Sequence, residues 1–169
     1  MKNIVLIGMP SSGKSTLGVV LAKTLGMQFV DTDLIIQQNS GKKLQQMINE
    51  EGIEAFLKTE EEVLCSLDFE NFIIATGGSA VLSEKAMKYL RKNGVVIYLE
   101  ASVEELKTRL NNIKTRGIAM TEGESIESIF MKRAPLYEKY ADITVSSEAS
   151  FEETVEKIIT EIKNSGVFS

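Results

Sequence analysis

The residues Gly8-Met9-Pro10-Ser11-Ser12-Gly13-Lys14-Ser15 fit the pattern G-x-x-x-x-G-K-[ST]. An unbroken apolar run, Ile4-Val5-Leu6-Ile7, leads into them and stops at Gly8. Behind them Leu17, Val20, Leu21 and Leu25 recur at helical spacing until Gly26. A buried strand, a glycine loop and a helix in that order restrict the chain to a small group of α/β architectures. In this context Gly8 and Gly13 let the loop, which runs through Pro10, Ser11 and Ser12, turn its available N–H groups around an anion. The helix points its positive end at the same anion. Lys14 adds a point charge on the outer phosphates. The Ser15 hydroxyl offers a hard oxygen to Mg²⁺, with Thr16 beside it. The motif points to a nucleoside triphosphate and leaves open what that nucleotide is used for.

The rest of the chain keeps the same alternation. Apolar segments at 28–30, 72–75, 95–99 and 143–145 are separated by amphipathic stretches. Five strands alternating with helices predict a parallel sheet covered on both faces, a three-layer α/β fold. Helical spacing links Leu44, Met47 and Ile48, then Phe56, Val63, Leu64 and Leu67. A short helix is expected over residues 84–92. Ser102 with Glu105 reads as a capping box for a helix through Leu110, and Ser150 with Glu153 caps the last helix. Ile126, Ile129, Phe130 and Arg133 share one helix. Residues 111–124 hold two glycines and few large apolar groups, which predicts a mobile lid. Glu60-Glu61-Glu62 reads as a solvated helix face, one member of which could order a neighbouring arginine. Cys65 reads as a small core residue. With no internal repeat or linker, a single domain over residues 1–169 is expected.

Composition removes whole classes of chemistry. The chain has no histidine, so Ser-His-Asp triads and His-ligated zinc are excluded. Its one cysteine cannot form a disulfide within the chain. The net charge of -5 argues against nucleic acid or an anionic membrane as a partner. The longest stretch without Asp, Glu, Lys or Arg runs over residues 71–83, short of the ~20 apolar residues a membrane span needs. The first apolar run is too short for a signal peptide. A cytoplasmic monomer is the expectation. An Asn-Lys-x-Asp string is absent, which argues against a guanine-reading switch.

Three further groups carry candidate chemistry. Asp31-Thr32-Asp33 follows the second strand, where side chains reach the ligand crevice of a parallel sheet. One acid there suits Mg²⁺ through water, and the other an acceptor hydroxyl. Asp33, ahead of Leu34-Ile35, also reads as a helix N-cap. Thr76-Gly77-Gly78-Ser79 ends the third strand at the same edge and exposes backbone N–H groups. Arg109, Arg116 and Arg133 fall in the region covering the nucleotide, where arginine stabilises transferring phosphates. Arg116, in the glycine-bearing segment, is the first candidate. Glu100 ends an apolar strand and is read as structural.

The ordered set resembles the shikimate kinases. It comprises the glycine loop, Asp31-Thr32-Asp33, Gly52 with Phe56, Thr76-Gly77-Gly78, Val96-Ile97-Tyr98-Leu99-Glu100 and Arg133-Ala134-Pro135-Leu136-Tyr137. The resemblance implies a P-loop kinase fold with strand order 2-3-1-4-5. It also implies ATP and Mg²⁺, and transfer of the γ-phosphate to the 3-hydroxyl of shikimate in aromatic amino acid biosynthesis. Residues 34–64 would bind the acceptor and residues 111–124 would form the lid. Lys14, Ser15 and Asp31 match the family's phosphate and magnesium positions. Asp33 matches its acceptor-hydroxyl acid, and Gly77 and Gly78 its acceptor-contacting glycines. Arg109 resembles an arginine near the adenine, Arg116 the lid arginine, and Arg133 an arginine on the acceptor carboxylate.

The chain departs from the family at Leu57, where an acceptor-binding arginine is usual. It also has Ile53 for a glutamate, Ser79 for a third glycine and Gly117 for a proline. The departures leave a different small hydroxylated acceptor, or a nucleotide-binding relic without turnover, as competing expectations.

Overall fold

The computed structural model describes residues 2–111 and 123–168. Most of the expected lid, Arg116 and Gly117 lie outside the described residues. In chain order the elements are β1 (Asn3–Ile7), α1 (Lys14–Leu25), β2 (Gln28–Asp31), α2 (Thr32–Ser40), α3 (Leu44–Glu51) and α4 (Ile53–Cys65). They continue with β3 (Phe72–Ala75), a 3₁₀ turn at Ala80–Leu82, α5 (Glu84–Lys92), β4 (Gly94–Glu100) and α6 (Val103–Asn111). The last are α7 (Ile126–Tyr140), β5 (Ile143–Ser146) and α8 (Phe151–Asn164). The five strands pair in the order β2-β3-β1-β4-β5, all parallel. This is the order the resemblance implies.

Period-two alternation along β1 fixes the layers. Ile4 and Leu6 pack with Leu17 and Leu21 of α1 and with Ile158 and Ile162 of α8. Val5 and Ile7 turn to the other face, against Leu64 of α4, Met87 and Leu90 of α5, and Tyr137 of α7. A strand buried on both faces favours apolar residues in succession, hence the unbroken run Ile4 to Ile7. A smaller cluster joins Ile36 of α2, Met47 of α3, and Phe56 and Val63 of α4, with Leu57 packed partly against it. The segment 34–64 is thus three helices, and it builds its own apolar base beside the sheet.

Parallel strands bring their carboxyl ends to one edge. The glycine loop follows β1, Asp31 ends β2, Thr76-Gly77-Gly78-Ser79 follows β3, and Ser147 follows β5. Among the described residues, no helix is long and apolar enough to cross a membrane.

Local chemistry differs from the sequence expectation at two caps, those of α2 and α6. The N-cap of α2 is Asp31, whose Oδ1 accepts Asp33 N–H at 2.9 Å, so Asp33 lies inside the first turn. Ser102 Oγ accepts Glu105 N–H at 3.2 Å, but the Ser102 N–H goes to Glu148 at 2.8 Å instead of completing the box. A reciprocal box does form at Ser125 and Ser128, opening α7. Ser150 caps α8 as expected, accepting Glu153 N–H at 3.2 Å. Cys65 closes α4 half-buried against the main core, and burial raises its thiol pKa.

Candidate active site

The glycine loop wraps back on itself. Lys14, 7% exposed, donates from Nζ to the carbonyls of Gly8 and Met9, each at 2.8 Å, and to Ser12 Oγ at 3.3 Å. Its ammonium is therefore stored at the loop that would cradle phosphate. Ser11 holds φ 66, a left-handed conformation rare for a residue with a side chain. Gly13 begins α1 with no side-chain cap. The first N–H groups of the helix are thereby left to an anion.

Ser15 Oγ donates to Asp31 Oδ2 at 2.6 Å, so the start of α1 and the end of β2 share one hard-oxygen pair. These two oxygens fit Mg²⁺, which takes few protein ligands and fills the remainder of its octahedron with phosphate oxygens and water.

On the outer side of the loop lies a cavity of about 420 Å³. Its walls include Ser11, Gly13, Thr16, Arg109, Ser147 and Phe151. Arg109 reaches Ser11 O at 3.3 Å and Ser147 O at 2.9 Å, and its Nε pairs with Glu105 at 3.0 Å. A guanidinium and an aromatic ring bordering a slot beside the phosphate loop can hold a planar base.

On the inner side, Gly77 abuts two acids. A Cβ there would sit 2.6 Å from Asp33 Oδ1 and 2.9 Å from Glu60 Oε2, so any side chain would have to displace these carboxyls. A Cβ on Gly78 would sit 2.7 Å from Pro10 Cδ, so the β3 loop seats directly on the glycine loop. Glu60 is 2% exposed, which corrects the solvated-face expectation for residues 60–62. Only Glu62 of the three is exposed, while Glu61 is half-buried and accepts a hydrogen bond from Ser83. Ser79 Oγ donates to Glu60 Oε1 at 2.6 Å. Burial pushes the Glu60 carboxyl up to about 7, with Asp33 adding to the rise while Ser79 and Arg133 oppose it.

Arg133 is 4% exposed. Its position on the apolar stripe of α7, four residues from Ile129, carries a guanidinium into the interior. One turn further on, Tyr137 stacks on Tyr98 at 5.1 Å and donates its hydroxyl to Gly78 O at 2.5 Å. Burial raises the Tyr137 phenol above its ordinary value, so it stays a donor. Tyr137 thereby pins α7, and with it Arg133, to the β3 loop.

Residues from several helices and from the loops after β1, β3 and β5 thus converge at the carboxyl edge of the sheet, around a candidate phosphate cradle, a candidate base slot and a small polar pocket. The shikimate kinase family model matches residues 10–163. The chain belongs to the shikimate kinase family. A shikimate kinase from Vibrio campbellii is 41% identical over 150 residues, 87% of each chain. The structure of a shikimate kinase from Acinetobacter baumannii, in complex with shikimate, superposes with a TM-score of 0.91 at 29% identity, covering 99% of this chain and 96% of that one. That of Aquifex aeolicus gives a TM-score of 0.84 at 32% identity, covering 99% of each.

Within this shikimate kinase fold, sequence reasoning had not assigned a role to Glu60, Tyr137, Ser147 or Phe151. Helical spacing held the signal for Glu60, which falls four residues from both Phe56 and Leu64 on the buried face of α4. Ser147 and Phe151 flank the loop after the last strand, a position marked only by its being at the carboxyl edge. Leu57, half-buried in the small apolar cluster, holds no charge toward the pocket, and Lys58 is exposed.

Proposed function

We propose that this chain transfers the γ-phosphate of ATP to the 3-hydroxyl of shikimate. The observation that carries the reading is the wall at Gly77, where an Asp33 oxygen and a buried carboxyl meet beside the phosphate loop with Arg133 acting on the same pocket. A carboxylate for a hydroxyl and a guanidinium for a carboxylate are what a hydroxylated acid acceptor requires. The family membership and the shikimate held by the Acinetobacter relative support the same acceptor.

Asp33 orients the acceptor hydroxyl and takes its proton as the phosphoryl group arrives. Lys14 leaves the loop carbonyls and meets the outer phosphates, as do the N–H groups around Ser11, Ser12 and Gly13. Arg116, outside the described residues, closes on the transferring group. Arg109 and Thr16 border the nucleotide base. Ser15 and Asp31 would hold Mg²⁺, which supplies charge neutralisation at the phosphate oxygens when bound. Gly77, Gly78, Ser79 and Arg133 shape the acceptor pocket. Positioning and charge suffice for this transfer, so a chain without histidine can perform it. The proposal includes a single domain acting as a cytoplasmic monomer on a small molecule, with neither nucleic acid nor membrane as partner.

The test is ADP production from ATP with shikimate beside uncharged polyols and amino alcohols. Shikimate should give the highest kcat/KM. Preference for an uncharged acceptor would overturn the reading.

A further inference from the structure

A second cavity, of about 370 Å³, lies at the amino ends of the strands, opposite the glycine loop. Its walls include Ile4 of β1, Leu25 at the end of α1, Met27, Ile159 of α8 and Phe168. Gly166, at φ 66, turns the chain after α8, and Phe168 packs on the same apolar cluster as Leu25, Met27 and Ile159. Protein interiors are close-packed, with few voids larger than a water molecule. This one is roughly twelve times a water's ~30 Å³ share of liquid volume. Water held there needs polar partners, which apolar walls do not supply.

Every lining residue is apolar except Lys163. Lys163 is exposed in the last turn of α8, and its ammonium has no hydrogen bond or ion pair among the described residues. Its helical neighbours three and four residues back are Thr160 and Ile159, so no carboxylate shares its face there. Leu25, Met27, Ile159 and Phe168 are only half-buried, so the cavity opens to solvent where a cation stands at the rim. An apolar chamber with one charged group at its opening selects an amphiphile of opposite charge.

We propose that this cavity is a second ligand site, for a monocarboxylate with an apolar body. The body fills the space between α1, β1 and α8, and the carboxylate meets Lys163. The volume admits on the order of ten non-hydrogen atoms, at ~30 Å³ for each. The site is separate from the nucleotide cavity. Phe151, at the start of α8, borders that cavity, and Lys163 follows about 18 Å further along the helix at ~1.5 Å per residue. ATP and the carboxylate therefore bind together.

The test uses the whole chain labelled with ¹³C at the methionine methyls and titrated with decanoate below its micelle-forming concentration. The resonance missing from Met27→Leu identifies the cavity reporter. Met9, in the glycine loop, and Met131, 73% exposed on α7, serve as controls. The Met27 methyl should shift saturably while Met9 and Met131 stay in place. Saturating ATP should leave the decanoate affinity unchanged. Decanoate should bind more tightly than 1-decanol, and decyltrimethylammonium more weakly than either. Lys163→Ala should weaken decanoate roughly two- to fivefold, as an exposed ion pair contributes, and leave 1-decanol unchanged. Ile159→Phe, which fills the cavity, should abolish the Met27 shift. Both variants should keep the wild-type kcat, since neither side chain borders the nucleotide cavity.

A Met27 methyl that does not move would overturn the inference. So would a shift of Met131 in step with Met27, which marks adsorption over the surface, or displacement of decanoate by ATP. Equal affinities for the anion, the alcohol and the cation would overturn the role of Lys163 and with it the carboxylate.

Discussion

Ser15 Oγ donates to Asp31 Oδ2 across 2.6 Å, while the other oxygen of Asp31 caps α2 through Asp33 N–H at 2.9 Å. One carboxylate therefore serves both the proposed cation site and the helix that carries Asp33, the proposed acceptor acid. Substitution separates the two duties. Asparagine caps a helix as well as aspartate does but carries no charge. Asp31→Asn should keep stability within about 0.5 kcal/mol and lower kcat by a hundredfold or more, on the order of one lost charge contact in an electrostatic site. Asp31→Ala should lose the same activity and a further ~1 kcal/mol of stability. Urea denaturation and Mg²⁺-dependent turnover, measured side by side, check this.

Lys14 is tied to the carbonyls of Gly8 and Met9 as well as being poised for phosphate. Lys14→Ala should reduce phosphoryl transfer by roughly 10²–10³ or more. It should also cost about 1–3 kcal/mol of stability, because two buried carbonyls lose their donor. Retention of full activity by a folded Lys14→Ala chain would sink the P-loop mechanism.

Gly77→Ala places a methyl group on the Asp33 and Glu60 oxygens. Asp33 must turn away to admit it. The acceptor KM should rise about ten- to a hundredfold, the equivalent of one or two hydrogen bonds to a charged group. The ATP KM should hold, because the nearest atoms at Gly77 are the Asp33 and Glu60 carboxyls, whereas the glycine loop's Pro10 is nearest at Gly78. Steady-state kinetics with each substrate varied in turn give the answer.

Stability should depend on pH through Glu60. Its carboxyl is raised from 4.5 to about 7 on folding, so the native chain binds that proton more tightly than the unfolded chain. The resulting stabilisation is fully present below pH 4.5, falls as the pH climbs and is lost above about 7. Its size is on the order of 3 kcal/mol, since each tenfold gain in proton affinity contributes ~1.4 kcal/mol. Denaturant midpoints of the wild type should therefore drop between pH 5.5 and 8, and Glu60→Gln should flatten the slope. Equal slopes in both chains would contradict the burial argument.

The sheet and its glycine-loop edge are readable from residue order alone. Short unbroken apolar runs such as Ile4 to Ile7, ended by a glycine, read as strands buried on both faces, and the glycine loop with Lys14 and Ser15 is local chemistry readable without a partner. Asp31, Asp33, Gly77 and Gly78 were legible because parallel strands deliver their carboxyl ends to one edge. The remaining features depend on pairs distant in sequence. Glu60 stands in a run of three glutamates, and only the arrival of Ser79 and Gly77 turns it from a surface charge into a buried acid. Arg133 lies on an apolar stripe, and Tyr137 fixes its direction by reaching Gly78, 59 positions away. Asp31 and not Asp33 caps α2, because which of two neighbouring acids turns back on the helix depends on where β2 ends. Local residue spacing records periodicity and turn chemistry, whereas burial, and the change in proton affinity that follows from it, arises only when separate segments exclude water together.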